Sequence, residues 1–306
     1  MRNKKEACDI NARQERLKRL QLPLRYNYIA CFLTLDCNFN CDYCINWFNG
    51  TKKHKETGIS GKEWVEGLNR LDCPDDLPIT IQGGEPAMHP DFIWIIKNIR
   101  MGLNVDILTN LSFNVEEFIK SVNPLRLRRE APYPSIRVSY HPSHADLDVL
   151  MAKVLKMQHA GFSIGIFGIL HPDFEENILK AQQRCIKAGI DFRTKEFLGE
   201  FRGRLCGTYL YPEAIGGSRQ KSCFCRTSEL IIGPEGNIYR CHHDLYEDSP
   251  AIGNLLDPNF EIIDIFRECS RFGECNPCDM KVKTDRFQVY GYTAVEIKDI
   301  QGKGAQ

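Results

Sequence analysis

Cys37, Cys41 and Cys44 place three thiols within eight residues (Cys37-Asn-Phe-Asn-Cys41-Asp-Tyr-Cys44), immediately after the apolar, β-rich run Tyr28–Leu35. Thiolates on one strand-to-helix loop can converge on a single metal centre, and cysteine thiolates are the usual ligands of iron–sulfur clusters. Three ligands for four irons leave one iron open to a small molecule, the arrangement of a catalytic site rather than a storage site. Zinc is the alternative, but it usually takes four ligands in paired spacing. Cys31 could supply a fourth, yet it falls inside the predicted strand.

The chain carries fourteen cysteines, four of them within Cys31–Cys44 and seven within Cys206–Cys278. Thiols placed only for packing would be scattered, and a long chain with no export signal uses such clusters for metal or redox chemistry rather than disulfides. In the later group, Cys225 is followed after ten residues by Gly236 and four residues on by Cys241; Cys275-Asn-Pro-Cys278 then forms a C-x-x-C. Four such ligands close a site, and a structural zinc ribbon is the competing reading. Cys206, Cys223 and Cys269 are left over. Buried, they are inert thiols; beside a substrate, Cys223 or Cys269 could donate a hydrogen atom. Cys223 could also replace Cys225 as a ligand.

The elements that must hold these residues alternate. Strands are predicted at Tyr28–Leu35, Pro78–Gln82, Val105–Thr109, Ser135–Tyr140, Phe162–Leu170 and Asp191–Phe197. Helices are predicted after a Ser60/Glu63 capping box, from near Pro90, and over Val115–Val122, Asp146–Ala160 and Phe174–Ala188, the last two closed by Gly161 and Gly189. Alternating strands and helices imply βα units around a parallel sheet or partial barrel, with chemistry at the C-terminal strand ends. A glycine-rich stretch near Gly199–Gly207 marks a boundary. Leu230–Tyr239 then reads as a β-hairpin turning at Gly233-Pro-Glu-Gly236.

C-x3-C-x-aromatic-C, with Tyr43 as the aromatic, resembles the signature of the radical S-adenosylmethionine superfamily. Gly83-Gly84-Glu85-Pro86, after the second strand, is similar to that superfamily's GGE motif. The cysteines at 225, 241, 275 and 278 resemble the twitch extension, a shortened relative of SPASM; the second SPASM cysteine run is absent. The resemblance implies a partial (β/α)6 barrel over residues 27–200, an auxiliary-cluster domain over 201–285, an N-terminal basic helical segment at 1–26 and a tail at 286–306. It implies a [4Fe–4S] cluster on Cys37, Cys41 and Cys44 whose open iron chelates S-adenosylmethionine. One electron then yields methionine and a 5′-deoxyadenosyl radical that takes hydrogen from substrate. One auxiliary [4Fe–4S] cluster, on Cys225, Cys241, Cys275 and Cys278, could accept a second electron. Tyr43 and the Gly83–Pro86 segment would contact the cofactor, with backbone and the Glu85 carboxylate taking the methionine amino group. By strand-end position Thr109, Asn110 and Ser139 are candidate hydroxyl contacts, and Lys195 could meet a carboxylate.

Formal net charge is zero, so no global field favours nucleic acid or membrane. No apolar run approaches the ~20 residues a bilayer span needs, and the polar N-terminus lacks a secretory h-region; a cytoplasmic location is expected. Arg13–Arg19 reads as a mixed-charge surface helix. His141, His144 and His171 follow strands four and five, and with Arg137, Tyr140, Glu196 and Glu200 could line a polar pocket or simply be solvated loop residues. His242-His243-Asp244 reads as loop or as support for a metal site. The expected substrate is a small polar metabolite (a sugar, polyol or derivative, oxidised or epimerised). The short N-terminal stretch disfavours, without excluding, a ribosomal peptide. A reductant such as flavodoxin or ferredoxin would be a partner. A non-catalytic iron–sulfur or zinc module is the remaining alternative.

Overall fold

Side chains alternate across a strand, so a sheet covered by helices on one face only must be apolar on that face and free to be polar on the other. The computed structural model, which describes residues 18–48, 58–73, 77–216, 221–283 and 292–299, follows that logic. Six parallel strands lie side by side in chain order: β2 (Tyr28–Thr34), β4 (Ile79–Gly83), β5 (Val105–Thr109), β6 (Ile136–Tyr140), β7 (Ile164–Leu170) and β8 (Phe192–Glu196). They are joined through α1 (Gly61–Leu68), α2 (Phe92–Asn98), α3 (Val115–Ser121), α4 (Leu147–His159) and α5 (Glu175–Lys187). Two short strands, β1 (Leu20–Gln21) and β3 (Leu71–Asp72), pair beside them. This is the expected α/β array, with each predicted element within about two residues of its place. Most of the expected 1–26 helical segment and of the 286–306 tail lies outside the described residues; residues 18–26 carry β1 and no helix.

Local chemistry sets the helix ends. The Ser60 hydroxyl accepts from Glu63 N while the Glu63 carboxylate accepts from Ser60 N, starting α1. Asp146 accepts from Asp148 N and Val149 N at the start of α4. The apolar face carries Ile29, Ile81, Ile107, Val138 and Ile166 against Trp64, Ile95, Phe118, Val154 and Ile178. Among the described residues no helix is long and apolar enough to cross a membrane.

The hairpin joins the core sheet. β12 (Glu229–Ile232) pairs in parallel with β2, β13 (Asn237–Tyr239) returns antiparallel, and β14 (Gly253–Asn254) follows, giving a nine-stranded sheet. The reason is the open edge of β2, whose backbone groups need partners; fully buried β12 supplies them. Between them, β9 (Gly199–Phe201) and β10 (Arg204–Cys206) form a small ribbon. A separate antiparallel sheet is built from β11 (Lys221–Thr227), flanked by β15 (Arg267–Phe272) and β16 (Val295–Asp299). Two short helices complete the region, α6 (His242–Tyr246) between β13 and β14 and α7 (Pro277–Met280) between β15 and β16.

Beside a small apolar cluster around Ala30 and Phe32 of β2, the face opposite the helices is polar over β4 to β6. Its centre is Asp106, fully buried, which accepts from Arg129 Nε and NH2 at 2.8 and 2.6 Å and from Arg137 NH2 at 3.3 Å. Removing one partner of such a buried group costs about 3–5 kcal/mol. Asp106→Asn should therefore lower urea-unfolding stability by about that much. Asp148→Asn, which loses only an exposed pairing with Arg184, should cost about 1 kcal/mol or less.

Candidate active site

The cysteine loop leaves β2 and packs against the turn that leaves β4, backbone against backbone. Gly84 N donates to Thr34 O at 2.9 Å and Glu85 N to Asp36 O at 2.8 Å. A Cβ on Gly83 would lie 2.1 Å from Thr34 O, and one on Gly84 2.1 Å from Asp36 O. Only glycine permits this approach. Within the loop, Cys44 N donates to Cys41 O at 3.2 Å and Phe39 N to Cys37 Sγ at 3.4 Å. Cys37, Cys41 and Cys44 are all half-buried.

Glu85 is held by the strand ends around it. Its carboxylate, 1 % exposed, accepts from Thr109 Oγ1 and Asn110 N, both at 2.6 Å, and from Ala87 N at 3.2 Å. Burial raises its pKa, and these donors only partly offset that. The carboxylate thus clasps the ends of β4 and β5. The Thr109 hydroxyl is spent on Glu85, and the Asn110 side-chain amide donates to Asn38 Oδ1 in the cysteine loop at 2.8 Å. Next to it, Leu111 holds a φ of 60°, a strained conformation for a leucine.

The loop's aromatics are gripped by histidines. Burial, helped by His144, lowers His141 to about 4; its Nδ1 and the Tyr43 hydroxyl share a hydrogen bond of 2.9 Å. His171 lies 4.8 Å from the Tyr43 ring, and His144 stacks on Phe39 at 5.2 Å. Burial raises the Tyr43 phenol. These histidines hold the cysteine loop on the ends of β6 and β7. Ser139 and Lys195 sit along the polar sheet face on β6 and β8, Lys195 with its ammonium 5.1 Å from the centre of the Phe167 ring.

The second cysteine group surrounds a separate cavity. Cys225, Cys241, Cys269 and Cys275 line it, with His243 and Asp244. Cys223, fully buried, lies beneath, its Sγ 3.5 Å from that of Cys225. The candidate hydrogen donors Cys223 and Cys269 are therefore together here, on β11 and β15, and not on the polar face of the core sheet. The hydrogen bond between Cys225 and Cys269 lowers Cys269 and raises Cys225; the Arg271 amide and Arg240 also lower Cys269 against its burial, and burial raises Cys275. Asp279 accepts from His242 N at 2.9 Å and lies 2.8 Å from His242 Nδ1, overcoming burial to raise that imidazole. Asn276, inside the C-x-x-C, donates Nδ2 to Ile45 O at 3.0 Å, one residue past Cys44. Asn46 donates to Gly83 O at 3.2 Å and accepts from Tyr246 at 2.9 Å. Sequence reading does not single out Asn38, Asn46, Tyr246 or Asn276 as site residues; asparagines within and just after the cysteine motifs are the available signal.

Gly84→Ala should displace the cysteine loop. Anaerobic reconstitution is expected to give about half the iron of the unsubstituted chain, counting one four-iron cluster lost of two, with the fold retained by circular dichroism.

No protein-family model matches the chain. It is 29% identical over 112 residues to a GTP 3′,8-cyclase of Campylobacter jejuni subsp. doylei, covering 36% of this chain and 35% of that protein. It is 24% identical over 265 residues to the GTP 3′,8-cyclase of a Sulfurovum species, covering 80% and 75%. The chain thus spans about a third of the length of the Campylobacter relative it matches. Among solved structures, Streptococcus suis SuiB bound to precursor peptide SuiA matches with a TM-score of 0.50 at 15% identity, over 83% of this chain and 66% of that one. The enzyme anSMEcpe with bound AdoMet and Kp18Cys peptide matches with 0.50 at 13%, over 78% of each. The solved structures share the fold, and the likeness to the GTP 3′,8-cyclases supports the resemblance to the radical S-adenosylmethionine superfamily carried by the cysteine loop and the Gly-Gly-Glu turn at the ends of two adjacent parallel strands.

Proposed function

We propose that the chain is an enzyme that cleaves S-adenosylmethionine reductively and abstracts hydrogen from a polar substrate. The observation that carries this reading is the cysteine loop seated on Gly83 and Gly84, facing the polar side of the core sheet. Three thiols of one fixed loop are the donor set that a [4Fe–4S] cluster uses, so Cys37, Cys41 and Cys44 fit as its ligands. When bound, the cluster and S-adenosylmethionine supply the one-electron cleavage and the hydrogen abstraction.

The chain's own residues bind and orient. The Gly83–Pro86 backbone offers the cofactor a surface without side chains at its first two positions. Glu85 and Thr109 act as positioning residues, fixing the β4 and β5 ends, and Asn110 ties them to the cysteine loop. Tyr43 is braced by His141 and His171, which orients the segment between Cys41 and Cys44. Ser139 and Lys195 offer a hydroxyl and a cation to a bound polar group. An auxiliary [4Fe–4S] cluster belongs in the second cavity, with Cys225, Cys241 and Cys275 as ligands. A flavodoxin or ferredoxin would be the electron source.

For the substrate, the polar sheet face supports a small hydroxylated metabolite, oxidised or epimerised. A peptide is the second reading, supported by the shared fold of SuiB and anSMEcpe, both of which have been solved with bound peptides. Under reductant, the reconstituted enzyme should form 5′-deoxyadenosine, and Cys37→Ala, Cys41→Ala or Cys44→Ala should reduce it to background. Deuterium transfer into 5′-deoxyadenosine from labelled polyols or sugars supports the first reading, and transfer only from labelled peptide supports the second. Stoichiometric zinc with no 5′-deoxyadenosine would sink both.

A further inference from the structure

Resting on the auxiliary-cluster reading above, we infer that Cys269, and not Cys278, is the fourth thiol ligand of the second site. Cys269 comes from a strand that carries no recognisable cysteine motif. Antiparallel pairing of β11 with β15 puts Cys269 directly opposite Cys223, and Cys225 follows two residues on, on the same face. The three Sγ atoms lie within 4.8 Å of one another. Cys241, from the start of α6, and Cys275, before α7, complete the wall of the same cavity. Sequence distance is irrelevant here: Cys269 reaches the cavity because its strand is hydrogen-bonded to the strand of Cys225.

Cys278 is absent from that wall, and the geometry of the C-x-x-C explains why. Asn276 caps α7, its Oδ1 accepting from Cys278 N at 2.9 Å, while its Nδ2 is held by Ile45 O. The helical turn that begins there separates the directions of Cys275 and Cys278. Asp279, the next residue, faces the amides of His242 and His243. The charged groups acting on Cys278 are first Lys281 and Asp279, then Glu229 and Lys195 of the core sheet. The C-x-x-C thus contributes Cys275, and not Cys278, to the wall of the second cavity.

Backbone support agrees with this division. Cys269 Sγ accepts from Arg271 N and Cys241 Sγ from Asp244 N, both at 3.4 Å. Cys37 Sγ accepts from Phe39 N at the same distance in the first site. Amide donors to ligand sulfurs are a recurrent means of holding and tuning iron–sulfur clusters. Arg240 and Arg271 line the cavity with Asp244 and Asp279, Arg240 paired with Asp244 and Arg271 with Glu274.

The test uses the full chain carrying Cys37→Ala, Cys41→Ala and Cys44→Ala together, so that any bound iron reports the second site alone. Reconstituted anaerobically, it should hold about four irons and give the electron paramagnetic resonance signal of one reduced cluster. Adding Cys278→Ala should leave both unchanged. Adding Cys269→Ala, or the milder Cys269→Ser, should remove the signal and nearly all the iron, while Cys223→Ala should keep them; loss there makes Cys223 a ligand and overturns the assignment. Iron kept without Cys269, or lost without Cys278, overturns the assignment. Loss with all three variants also overturns it, since the effect is then one of folding. No iron in the triple variant overturns the auxiliary-cluster reading itself, and this assignment with it.

Discussion

Everything at the first site depends on two peptide backbones lying closer than any side chain would allow. Thr34–Asp36 and Gly83–Glu85 touch through two amide-to-carbonyl hydrogen bonds, and carbonyl oxygens occupy the space where two Cβ atoms would stand. A loop carrying three thiols on a few residues of irregular backbone has many conformations available, and ordering it costs roughly 1–2 kcal/mol per residue. Contact with a strand end that is itself fixed in the sheet supplies that order. The glycines are therefore requirements of docking before they are a surface for any ligand. Glu85 extends the same logic sideways: its buried carboxylate draws Thr109 and the Asn110 amide to it, so three consecutive strand ends and the cysteine loop become one hydrogen-bonded unit.

Most of the core was legible because its signals are local. Period-two apolar runs, a Ser60/Glu63 capping box and glycines after helices each act within a few residues, and the structure places those elements where they were expected. The sites were less legible because their signals are not local. The roles of His141 and His144 follow from where β6 ends relative to Phe39 and Tyr43, a hundred residues earlier, and no spacing encodes that. The joining of β12 to β2 is a further instance. The hairpin itself could be read from Gly233 and Gly236, but its partner strand is the far edge of the parallel sheet. The sequence reading does not find β11 and β15, which are polar, cysteine-bearing strands with little apolar alternation, nor β16, whose alternating Val295–Asp299 falls in the stretch read as a tail.

The same distinction separates the two cysteine groups. In the first, the spacing of Cys37, Cys41 and Cys44 lies on one loop, so sequence proximity and spatial proximity coincide. In the second, cysteines are carried by β11, the start of α6, β15 and the approach to α7, and adjacency in sequence is a poor guide to adjacency in space. Cys275 and Cys278 illustrate it from one side and Cys223 with Cys269 from the other.

The two sites are also mechanically one. Asn276 hydrogen-bonds the carbonyl beside Cys44, and Asn46 is held between Gly83 and Tyr246, so residues of the C-terminal region brace the short helical turn that ends the first cysteine loop. Tyr246 and Leu245 pack with Ala30 and Phe32 against the core sheet, and His242 and Asp279 link α6 to α7 in the same layer. A shift of α7 would move the loop that positions Cys44, and a shift of that loop would press on the turn between Cys275 and Cys278. The second cysteine group thus does structural work on the first through ordinary hydrogen bonds, whichever thiols it commits to metal. Because β12 completes the open edge of β2, the strand from which the loop springs, the C-terminal region fixes both ends of the segment from Tyr28 to Trp47.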